Sequence, residues 1–152
     1  MRRAVILGGV LCLVAAGLGF AQEHFTEGPV WEVSFYRTTP GHWDDYMQFL
    51  RENFLPTSME AKKQGLILDF KVYLKEPTDP KDWDVGVATL YSSFGKAMDY
   101  SKADEDKWKA ISAKQYKTED EKKQREMTEK RLKMRDYLGT SYMREVNLKP
   151  MP

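Results

Sequence analysis

Strands that carry bulky side chains on both faces dominate this chain. In Val30 to Thr38, Trp31, Val33 and Phe35 alternate with Glu32, Ser34 and Tyr36, a period of two. Asp82 to Ser92 sets Trp83, Val85, Val87, Thr89 and Tyr91 against Gly86, Ala88 and Leu90. Between them, Leu66 to Lys75 places Leu66, Leu68, Phe70, Val72 and Leu74 on one side. An antiparallel strand with one wet face shows polar residues on that face. Trp31, Phe35 and Tyr36 leave no such face, so the sheet they form needs cover on both sides.

The intervening segments read as helices. Thr39-Pro40-Gly41 turns the chain, with Thr39 as N-cap and Pro40 at the first helical position. Trp43, Met47, Leu50 and Phe54 then recur on one helical face. Pro56 should kink or break that helix, and Gly65 should end it. Glu76 to Lys81 is rich in turn formers. Ser92 or Ser93 can cap a helix after the third strand, with Phe94, Met98, Trp108 and Ile111 as its buried positions. Thr118-Glu119-Asp120-Glu121 is a capping box opening a densely charged helix. Met127, Met134, Tyr137 and Leu138 mark its core side, Gly139 its end, and Tyr142 to Lys149 a last strand. The alternating charges from Glu119 to Arg135 read as a solvated helix face.

Strand, helix, strand, strand, helices, strand is a βαββαβ order. With right-handed crossovers it closes into a ferredoxin-like α+β fold, one antiparallel sheet with helices on one face. The face left over carries aromatics, and a second copy of the same sheet covers it most simply, as an isologous homodimer.

The amino terminus predicts export. Arg2 and Arg3 precede the apolar run Ala4 to Phe20, and Gly19-Phe20-Ala21 offers small residues before a cleavage point at Gln22. Residues 1–21 therefore read as a signal peptide and residues 22–152 as a single domain, periplasmic or secreted. The apolar run is shorter than the roughly 20 residues of a spanning helix, so no membrane attachment is expected after cleavage. Cys12 is the only cysteine and lies in that run, preceded by Leu11 where a lipid-attachment signal wants a small residue. The exported domain thus has no disulfide and relies on its core. Without Arg2 and Arg3, 22 basic side chains face 23 acidic ones, a net charge near −1. A balance of that kind gives no field for nucleic acid or an anionic membrane.

From Val30 to Lys149 the chain resembles the dimeric α/β-barrel branch of the ferredoxin-like fold, which includes antibiotic-biosynthesis monooxygenase-like domains and the NIPSNAP family. The resemblance rests on the topology, on the strand exit Thr38-Thr39-Pro40-Gly41, on the helix with Tyr46 and Leu50 inward, and on the closing Gly65. It implies a homodimer with a cleft between helices and sheet that takes a small organic molecule. Relatives that hold haem do so through a helical histidine; none stands in the second crossover here, so no cofactor is expected.

Chemistry-bearing residues are few. His24 and His42 are far apart in sequence, and His42 with Asp45 falls short of the three or four ligands a transition metal wants. No serine has a nucleophile-elbow context, and no glycine-rich phosphate loop occurs. The polar residues within strands remain: Glu32, Asp69 and Arg144. Glu32 can meet Arg144 across the sheet as a structural ion pair. Alternatively Glu32, Ser34, Tyr36 and Tyr91 line the cleft, with Arg144 beside them and Glu32 as the candidate general base, its pKa raised by desolvation. Two functions follow. One is an exported homodimer that binds a small hydrophobic ligand or a protein. The other is a cofactor-independent monooxygenase or isomerase acting on a small aromatic or polyketide-like substrate.

Overall fold

A computed structural model describes residues 24–117 and 120–151. Met1 to Ala21, read from the sequence as a signal peptide, and Thr118 and Glu119, the start of the expected capping box, lie outside the described residues.

Four strands, β1 (Phe25–Thr38), β2 (Asp69–Leu74), β3 (Val85–Tyr91) and β4 (Arg135–Leu148), form one sheet. The order is β2-β3-β1-β4 and every neighbouring pair is antiparallel. The protein is α+β, and this order is compatible with a ferredoxin-like arrangement. The first crossover is a single bent rod: α1 (Trp43–Phe49), a π-helical turn over Leu50–Phe54, and α2 (Leu55–Lys63). Pro56 lies within this continuous rod and lacks the N–H that a helix interior uses; the π turn before it carries the break in the hydrogen-bond ladder, and the Glu52 carbonyl accepts instead from the Gln115 side chain at 2.6 Å. Gly65 follows α2 at φ +71, the left-handed conformation that ends helices. The second crossover holds α3 (Phe94–Met98), α4 (Lys102–Tyr116) and α5 (Glu121–Met134).

Register assigns the sheet's faces. Val30, Glu32, Ser34 and Tyr36 stand opposite Tyr91, Thr89, Val87 and Val85 on β3, and these in turn reach Phe70, Val72 and Leu74 on β2. The helices pack on this face. Tyr46 and Leu50 bury Val85, with Val72, Val87 and Met134 against them. Ala61, Leu66, Ile67 and Ile111 form a second cluster that Phe70, Tyr91 and Trp108 close. No described helix packs on the opposite face. It carries Trp31, Val33 and Phe35 with Ala88, Leu90 and Met143. The Trp83 indole lies against Phe35, ring centroids 5.1 Å apart, over Gly86; a Cβ there would stand 3.4 Å from the indole. Lys71 and Lys75 lie 5.0 Å from the Trp31 and Trp83 rings. Val33 is only 4% exposed beneath this layer.

Several expectations change. Val85, Val87 and Tyr91 pack under the helices, whereas Trp83, set with them by the alternation, precedes β3 and packs against Phe35 on the helix-free face. Thr39 is no cap: Thr39-Pro40-Gly41-His42 forms a turn, the His42 amide donating to the Thr39 carbonyl, with Gly41 at φ +84. Ser93 does cap, but the helix it opens is five residues long, and Ser101 caps a separate α4. Phe94 and Met98 are consequently exposed. Asp120 caps α5, accepting from the Lys122 and Lys123 amides.

The largest change concerns Tyr137, Leu138 and Gly139. They belong to β4, which begins at Arg135 directly after α5. Pairing jumps from Phe35–Gly139 to Tyr36–Tyr137, leaving Leu138 as the extra residue of a β-bulge. Gly139 sits there at φ +142, a conformation for which a side chain is strained. The glycine marks a bulge, not a helix end.

Candidate functional site

A cleft of about 190 Å³ opens between the helices and the sheet. Tyr36 of β1 and Val87 of β3 form its floor. Phe49, Leu50, Asn53 and Phe54, from the end of α1 and the π turn, make one wall. Tyr116 of α4 stands opposite, and Arg131 of α5 and Arg135 of β4 close the end. The π turn matters here, because the widened helix turn presents Asn53 and Phe54 to the same space; the Asn53 amide donates to the Phe49 carbonyl at 3.1 Å.

The arginines set the electrostatics. Arg135 stacks on Tyr36, its guanidinium carbon 3.4 Å from the ring centroid, and donates to the Tyr46 hydroxyl. Tyr46 is fully buried and its hydroxyl pKa rises to about 12, pushed up by desolvation against the pull of Arg135. Arg131 approaches the Phe49 ring at 5.9 Å. No acidic residue lines the cleft.

Of the residues singled out from the sequence, only Tyr36 lines this cleft. Glu32, Ser34, Tyr91 and Arg144 share its sheet face but stand further along the strands. Glu32 and Tyr91 share a hydrogen bond, and burial raises the pKa of both. Tyr142, opposite Glu32 on β4, is raised as well, first by burial and then by the Glu32 charge. Ser34 and Tyr137 both bond the Thr140 hydroxyl, at 2.7 and 2.8 Å. Together these side chains form a polar row across β1 and β4, beside the cleft and not in it.

Arg144 is not the partner of Glu32. The register sets it opposite Val30, and it pairs with Glu27 while lying over Phe94 at 4.7 Å. Asp69 is likewise committed, to Lys62 at 2.8 Å. His42 bonds Asp45 at 2.9 Å, and among the described residues no group of three or more His, Cys, Asp or Glu side chains converges. No described helix is long and apolar enough to cross a membrane.

Sequence reasoning passed over Arg131 and Arg135 as part of a solvated charged face. A signal was present for one of them: Arg131 falls at i+4 from Met127 and i−3 from Met134, on the apolar stripe of α5, whereas Arg135 is the first residue of β4. An arginine on such a stripe is exceptional, since guanidinium is almost never buried unpaired.

No protein-family model matches the chain, and no curated protein matches it.

Proposed function

We propose that this chain is an exported homodimeric binding domain of ferredoxin-like βαββαβ form, from the dimeric α/β-barrel branch, and that each protomer takes a small molecule in the cleft between helices and sheet. The cleft carries the reading: a concave space lined by aromatic and aliphatic side chains with a few convergent polar groups is what a small-ligand site needs. Binding fits better than catalysis because the one carboxylate with a base-like environment, Glu32, lies outside the cleft lining, so no carboxylate general base faces a bound molecule. The sheet's helix-free face supports the dimer. Trp31, Phe35, Leu90 and Met143 make a patch that a second copy covers symmetrically, and patches of this kind mark interaction sites. The basic start and apolar run before Gln22 support export.

Met143→Lys tests the dimer. Met143 is 48% exposed and opposite Trp31, so the change costs a protomer little but sets a charge in the proposed interface. Sedimentation velocity should show a dimer for the wild type and a folded monomer for the variant. A wild type that sediments as a well-folded monomer at micromolar concentration refutes the dimer. Native mass spectrometry of the protein purified from its own periplasm should show a co-purified small molecule.

A further inference from the structure

The two arginines of the cleft, Arg135 buried and Arg131 half-buried, lack an acidic partner among the described residues. Arg135 is 9% exposed, yet no described carboxylate lies within ion-pair distance of it or of Arg131. The Arg131 Nε is buried with no hydrogen-bond partner. The buried carboxylate of Asp84 is engaged elsewhere: it accepts from the Thr38 amide at 3.0 and 3.1 Å and from the Thr38 hydroxyl. Ring faces and one phenol oxygen offset part of a guanidinium's desolvation, but a buried charge is stable only when paired.

We infer that the cleft is completed by a small carboxylic acid, its carboxylate on Arg131 and Arg135 and its apolar body against Phe49, Phe54 and Tyr36. This deepens the proposed binding function and rests on it. A guanidinium's planar fork matches a carboxylate in two parallel hydrogen bonds. The volume of about 190 Å³ suits a single-ring acid. A monoanion fits better than a dianionic phosphate because Arg131 belongs to the last turn of α5, where the helix dipole presents its negative end.

Isothermal titration of the exported protein at neutral pH tests this with three probes: benzoate, benzyl alcohol and inorganic phosphate. Benzoate should bind at least about tenfold more tightly than the alcohol, the factor that separates charge-assisted from neutral hydrogen bonding. Arg131→Gln should abolish that preference with the circular dichroism unchanged, and Arg131→Lys should restore part of it. Arg131 is chosen because Arg135 also packs on two tyrosines. Equal binding of acid and alcohol overturns the carboxylate but leaves a small-molecule cleft standing. Phosphate binding more tightly than benzoate overturns it too. No binding of any probe at about 10 mM, beyond the weakest useful affinities, overturns the carboxylate and the binding function together.

Discussion

Tyr46→Phe isolates the bond that holds Arg135 in place. The Tyr46 ring is fully buried, with Tyr36 edge-on at 6.2 Å and Phe49 stacked at 6.4 Å. Phenylalanine keeps that packing and removes only the hydroxyl that accepts from Arg135. A hydrogen bond to a charged group contributes about 1.5–3 kcal/mol, and the guanidinium left behind has no carboxylate to turn to. The expected loss is therefore about 2 kcal/mol, a drop in melting temperature of about 6–10 °C for a domain of this size. Urea unfolding followed by circular dichroism should show a lower midpoint at unchanged slope. In an Arg135→Met background the same change should cost almost nothing, which gives the pair a coupling energy. Alkaline pH supplies a second signature. The phenol pKa rises from 10.0 to about 12 on folding, so the native state holds the proton more tightly than the unfolded chain. Stability from this group is present below about pH 10 and is lost as the pH climbs towards 12; Tyr46→Phe removes that loss. A destabilisation under about 0.5 kcal/mol, with no coupling to Arg135, would show that the ring faces alone support the guanidinium.

Two further changes probe the frame around the cleft. Gly139→Ala should destabilise by about 1–2 kcal/mol in the same unfolding assay although no atom lies within 4 Å of the added Cβ, because the cost is the positive φ of the bulge; an unchanged midpoint refutes the bulge. Glu32→Gln should raise stability at pH 7. Burial lifts the Glu32 pKa above 4.5, so wild-type stability falls as the pH rises from there through the folded value, and the variant should lack that slope; a variant less stable than wild type at pH 7 contradicts it.

The sequence by itself determined the element order and the parity of the strands, except at Trp83, which precedes β3 and packs on the face opposite Val85. Trp31, Val33 and Phe35 do share one face and Glu32, Ser34 and Tyr36 the other, because a period of two is a property of the extended backbone alone. Pro56, Gly65 and Ser93 were legible for the same reason, each acting on its own turn through a missing N–H, a free φ or a hydroxyl acceptor. Which parity receives the helices is a different matter. Trp31 and Tyr36 are equally bulky, and only the packing of Tyr46, Leu50 and Ile111 on the sheet assigned Val85 and Val87 to the core. Tyr137 and Leu138 continue a helical spacing from Met134, yet they join β4: Tyr137 pairs with Tyr36, Leu138 is the bulge residue, and Gly139 admits the bulge. Arg144 found Glu27 through that register, not Glu32. The cleft itself exists only in three dimensions: Tyr36, Asn53, Tyr116 and Arg131 come from four separate segments, and packing buries Arg135, at the start of β4, and half-buries Arg131 without an acidic partner among the described residues.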